Sequence, residues 1–441
     1  MQDDKITSLD KEVERKMNDI STGKNVFGIG KVVTVKEFIL VIIGLENVMF
    51  YEKINIADKA IGYVVNILEN SVYVALLKKE EDIFIGDSAY GTNEIYEGEF
   101  SEEALGRAIN LFGYDELNGK KFENILKVPI EEANIPIMER KEVKRPLHTG
   151  IIGIDLIYPI GKGQRQLIIG DKKTGKTQIA LNAIASQVNQ NVLCIYVAIG
   201  KTKKEVKEIY YELLKRNAMN YTVIITAFND ELPSVLTLTP YYALSVACMY
   251  MKKGYDVLVV LDDLKRHADA YREVSLISGK TPSRDAYPSD IFYFHSRLLE
   301  KGCQYKNGAS ITILPIVETK GGDITDYIST NIISITDGQI VLSDKNFKKG
   351  MKPAIDYGLS VSRLGGNVQT KEMKALGSKV RQNLLSYLET REVYELANID
   401  EMSKELQEKI RQGQKIVENL NQPKWSNINE QEMLEKFSFL E

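Results

Sequence analysis

The eight residues Gly170, Asp171, Lys172, Lys173, Thr174, Gly175, Lys176 and Thr177 match the spacing G-x-x-x-x-G-K-[ST] at every fixed position. They constrain the fold more than any other stretch, because the pattern has a function only where a strand turns into a helix. An apolar run at 166–169 precedes it and a helical run at 178–187 follows it. The glycines let backbone N–H groups close around phosphate oxygens, and the next helix adds the positive end of its dipole. Lys176 is placed to reach the outer phosphates and the Thr177 hydroxyl to hold Mg²⁺. A chance glycine-rich turn does not account for the strand before it and the helix after it. All eight residues are therefore expected at a nucleoside triphosphate site.

The rest of the chain supplies a setting for such a loop. Residues 25–90 read as short strands with glycine punctuation, at 31–36, 38–43, 60–65 and 71–77, the pattern of a small barrel. From about 96 to 369 strands alternate with helices, which predicts a parallel α/β sheet. Its expected core strands, 192–198, 222–226, 257–261 and 311–316, are mostly continuous apolar runs, as strands covered on both faces require. After 370 the pattern is almost purely helical, with Lys, Glu, Gln and Leu dominant. A chain of 441 residues is too long for one ordinary core, so two or three domains are expected.

Bulk properties narrow the function classes. A formal charge of −4 gives no electrostatic reason to bind nucleic acid. The polar first fourteen residues lack a signal-like apolar core, and no apolar run is long enough to span a bilayer, so membrane contact is expected only through partners. Cys194, Cys248 and Cys303 lack metal-ligand spacing and read as reduced packing residues. His148, His267 and His295 share no ligand spacing either and read as structural. The segment 401–415 reads as a solvated helix face.

A second nucleotide element lies at 256–263, where an apolar strand ends in Asp262 and Asp263. A carboxylate at such a strand end falls beside the phosphate loop and can hold Mg²⁺ through water. Asp262 is the expected functional member.

With these residues in place, the wording of 164–177, Pro240-Tyr241, 261–264, 284–300, 330–340 and 353–362, and of the barrel segment 44–51, resembles the alpha subunit of F-type ATP synthases. The likeness is collinear from about 26 into the 390s. It implies an α/β multidomain fold: an N-terminal small β-barrel, a central P-loop RecA-like parallel α/β domain, and a C-terminal α-helical domain shorter than usual. The expected boundaries are 1–22 for an N-terminal arm, then 23–93, 94–369 and 370–441. It also implies Mg-ATP or Mg-ADP as ligand. The partners would be catalytic beta-type chains alternating with alpha-type chains in a hexamer around a gamma-type central stalk. The complex would be peripheral on the inner face of the cell membrane.

The resemblance assigns further roles. Catalytic chains of this family carry glutamate after the glycine that follows the strand at 192–198, where it polarises water. Here the order is Ile199, Gly200, Lys201, and the alpha chains usually have glutamine. A protonated lysine is no base, and phosphate favours the protonated form. Lys173 also stands where alpha chains usually have glutamine. The two extra cations either hold ATP without turnover or reach into solvent, with Lys201 in a charged turn at 201–204. On both readings this chain's own site does not hydrolyse ATP. Arg363, after Ser360-Val361-Ser362 and before Leu364-Gly365-Gly366, matches the arginine finger that acts in trans on the neighbouring beta site, and Ser334 is expected on the same interface. Lys352 replaces an arginine common on the nucleotide side. The adenine loop is expected near 396–400, where its usual wording is missing. An F-like machine driving another process fits the same residues. A homohexameric secretion-type ATPase would need glutamate at 201. An RNA-binding hexameric helicase would need a basic, aromatic barrel face, whereas 25–90 mixes its lysines with Glu46, Glu52, Glu80, Glu81 and Asp82.

Overall fold

The computed structural model describes residues 28–393 and 403–440. The expected N-terminal arm and the expected adenine loop at 396–400 lie outside them.

Six antiparallel strands close a barrel in the order Ile29–Lys36, Ile39–Ile43, Ser71–Lys79, Ala60–Leu68, Glu52–Ile56, Ser88–Ile95. Alternate residues point inward, as the two-residue period of a strand dictates. Val32, Leu40, Ile42, Ile54, Val64 and Val74 fill the interior. Glu52, one of the acids mixed among this region's lysines, is 1% exposed. Its carboxylate accepts the backbone N–H groups of Met49 and Asn93, both at 2.9 Å, which offset its burial.

The central sheet runs from the edge strand Val361–Ser362 through Gly338–Leu342, Leu167–Asp171, Ser310–Thr319, Asp256–Asp262, Val192–Lys201 and Thr222–Phe228 to Ala108–Asn110. Every neighbouring pair along this path is parallel except the first. All seven residues of Thr222–Phe228 are buried, as a two-faced parallel strand requires. The helix Pro233–Lys252 is apolar around most of its circumference because it lies between the sheet and the barrel. Its Ser234 hydroxyl donates to the barrel carbonyl of Leu76.

Three α-helices, Lys371–Val393, Lys404–Leu420 and Glu430–Phe437, and a closing 3₁₀ turn Ser438–Leu440 make up the described C-terminal part. Lys404–Leu420 buries Ile410, Gly413, Ile416 and Leu420 on one side and exposes most of its Lys, Glu and Gln side chains, as expected for a solvated face. Gly413 permits the closest approach: a Cβ there would stand 2.1 Å from Cγ of Tyr387. Leu376, Val380, Ile416 and Phe437 join one apolar cluster with Ile168, Ile179 and Ile184 around the phosphate loop. Among the described residues no helix is long and apolar enough to cross a membrane.

Candidate nucleotide site

The loop motif lies where its spacing requires, between the strand Leu167–Asp171 and the helix Lys176–Ala185. Gly175 caps that helix at φ +104°, a conformation that side chains rarely adopt. Gly170 has a different reason: a Cβ there would stand 2.5 Å from the Leu342 carbonyl oxygen of the neighbouring strand. Asp171 organises the loop from inside. Its carboxylate accepts the Thr319 hydroxyl at 2.6 Å and Gly322 N–H at 2.9 Å. Its carbonyl oxygen accepts Thr174 Oγ1 at 2.8 Å and Lys176 Nζ at 2.6 Å. Burial pushes the Lys176 ammonium below its usual pKa, against the pull of Glu318, Asp263, Asp262 and Asp171. The negative charge of a bound phosphate would favour the charged ammonium and offset that shift. Lys172 and Lys173 are both exposed on the loop.

Asp262 gathers three side chains from two elements beside this loop. Thr177 Oγ1 donates to Oδ2 at 2.7 Å, Tyr196 OH donates to the same oxygen at 2.6 Å, and Lys201 Nζ is 3.0 Å from Oδ1. Lys201 is 9% exposed and Asp262 2%. Lys201 therefore does not snorkel into solvent. The charged stretch 201–204 is not one turn: Lys201 ends the strand Val192–Lys201 and Lys203 opens the helix Lys203–Leu214. A bulge between Ile199 and Lys201 re-aims the side chain, with Gly200 at φ +64°. Next to it, Asp263 caps the helix Leu264–Ile277 by accepting Arg266 N–H at 2.8 Å. Burial, then the charge of Asp262, raises its pKa to about 6.

The Thr177–Asp262 pair fits Mg²⁺ in kind. A small hard cation that keeps several waters takes one hydroxyl directly and a carboxylate through water. What the pair lacks is free charge, since Lys201 already neutralises Asp262.

Beyond the loop opens a cavity of about 490 Å³, within the usual range for a small-molecule site. Lys173, Gln178, Asn182, Phe347, Lys352 and Pro353 line it, together with Gln422, Lys424 and Ser426. The Gln178 Nε2 atom is buried without a hydrogen-bond partner, an orphaned donor that a nucleotide could satisfy. The segment from Gln422 was not singled out by sequence; its only signal was Pro423 just past a helix end. Gln422 anchors it, accepting Ile152 N–H at 2.6 Å and donating to the Gly150 carbonyl at 3.1 Å. Tyr196 was also missed, because nothing distinguishes its hydroxyl within an apolar run.

Arg363 and Ser334 lie elsewhere. Arg363 follows the edge strand Val361–Ser362, tied by its backbone N–H to the Asp337 carbonyl at 2.9 Å. Its side chain is exposed and has no hydrogen bond or ion pair among the described residues. Ser334 is exposed on the helix Tyr327–Ile335, its hydroxyl donating to the Asn331 carbonyl at 2.7 Å. Neither lines the cavity. The histidines stay apart from the site: His267 and His295 are fully buried beside Phe294, and His148 is exposed.

A strand, phosphate loop and helix in a parallel sheet, with a hydroxyl–carboxylate pair alongside, define a P-loop nucleotide-binding protein. Residues 150–362 match the nucleotide-binding domain of the ATP synthase alpha/beta family. The chain is 42% identical over 410 residues to ATP synthase subunit alpha of Mesomycoplasma hyopneumoniae (strain 7448), covering 92% of this chain and 80% of that one. It is 41% identical to the subunit of the same name from Mycoplasma capricolum, covering 91% and 77%. For Clostridium botulinum (strain Hall) the identity is 39%, covering 96% and 84%. The chain belongs to the ATP synthase alpha/beta family.

Proposed function

We propose that this chain is a non-catalytic, nucleotide-holding alpha-type subunit of a rotary F-type or F-like ATP synthase or ATPase. The observation that carries the reading is Lys201, buried 3.0 Å from Asp262 at the position that holds the water-polarising glutamate in catalytic chains. An ammonium there can neutralise phosphate but cannot accept a proton from water. The loop N–H groups and Lys176 bind the phosphates, and the cavity beside Lys352 and Lys424 receives the nucleoside. Bound Mg²⁺ would supply charge neutralisation on ATP or ADP, held by Thr177 and, through water, Asp262.

The catalytic contribution is then made to a neighbour. Arg363 stands exposed on the sheet edge with no partner among the described residues, as suits a guanidinium offered across an interface to a beta-type chain, and Ser334 would border that contact. The ring surrounds a gamma-type stalk, and other subunits make the membrane contact. Arg363→Ala is expected to lower steady-state hydrolysis by the assembled complex about 10³-fold or more. Nucleotide held by this chain should be unchanged. Turnover equal to wild type would refute the finger role.

A further inference from the structure

We infer that Lys201 is a built-in counter-cation of this site, so that ATP or ADP is held here without requiring Mg²⁺. The inference rests on the reading that the site holds nucleotide. In a phosphate-loop site the strand-end carboxylate normally accepts hydrogen bonds from the waters of the metal. Here both oxygens of Asp262 are engaged, Oδ2 by Thr177 and Tyr196 and Oδ1 by Lys201. The charge count matters more. An unpaired Asp262 would repel metal-free phosphates at close range and make the metal obligatory; paired with Lys201 it presents no net charge.

The lysine is also held in position. Its carbonyl accepts Asn229 N–H at 3.1 Å, and the Gly200 carbonyl before it accepts the Arg266 guanidinium. An ammonium carries three N–H donors, and the ion pair with Asp262 uses no more than one of them. The others remain for phosphate oxygens, beside those of Lys176.

The test is equilibrium dialysis of ATP against the purified full chain, in excess Mg²⁺ and in EDTA, for wild type, Lys201→Gln and Lys201→Arg. Removing Mg²⁺ is expected to weaken ATP binding to wild type and Lys201→Arg by less than about threefold, and to Lys201→Gln by about tenfold or more. A merely structural lysine would weaken both conditions equally and leave that ratio unmoved. Wild type losing ATP in EDTA by tenfold or more would overturn the inference while leaving the holding site intact. If Lys201→Gln does not fold, the wild-type ratio and Lys201→Arg decide alone. Failure of wild type to bind ATP in either condition would instead overturn the holding-site reading beneath it.

Discussion

Asp262 is buried, with two hydroxyls donating to its carboxylate and the Lys201 ammonium paired beside it. Glu231 is the opposite case. It sits just past the strand Thr222–Phe228, and its buried Oε2 has no hydrogen-bond partner. Burial, then the charge of Glu116, raises its pKa from 4.5 to about 7. The folded chain therefore binds more protons than the unfolded chain in that window, and stability falls as pH rises from about 4.5 to 7. Glu231→Gln should remove this slope. Urea unfolding at pH 8 is expected to find the variant more stable by about 3 kcal/mol, with little difference at pH 4. A parallel offset at both pH values would show that the effect is packing, not charge. At this scale the sequence made Lys201 and Asp262 visible one at a time. Their pairing was hidden, because it depends on a bulge at Gly200 that no periodicity reports.

Elements were legible where one physical signal dominated. The apolar runs at 192–198, 222–226, 257–261 and 311–316 are strands, extended by one to three residues at one or both ends. The strands Glu52–Ile56 and Ser88–Ile95 were not named, because polar residues interrupt them and only barrel closure explains their pairing. The strand-to-helix step after Lys201 has its own local device. Thr202 Oγ1 accepts Glu205 N–H at 3.2 Å while the Glu205 carboxylate accepts Thr202 N–H at 2.8 Å, a capping box. Thr202→Ala is expected to cost about 1 kcal/mol, read as a lower urea midpoint with an unchanged slope. The segment carrying Gln422 was illegible for the opposite reason. It has no period, and its place on the cavity depends on contacts far away in sequence, including Trp425, whose ring stacks 3.5 Å from the Arg216 guanidinium carbon.

For the whole molecule, the nucleotide cavity is a seam. The loop helix Lys176–Ala185 and the C-terminal helices share one apolar cluster. The phosphate loop lies within the sheet and the exposed Arg363 follows its antiparallel edge strand. That separation suits a subunit that keeps its own nucleotide and assists a neighbour. The site is proposed to hold ATP without turning it over. Purified full chain loaded with γ-labelled ATP and Mg²⁺, then quenched over hours, tests this directly, with Lys176→Ala as the control that should retain no label. Wild type is expected to return the bound nucleotide as intact ATP. Release of labelled phosphate by wild type alone, abolished by Lys176→Ala, would contradict it.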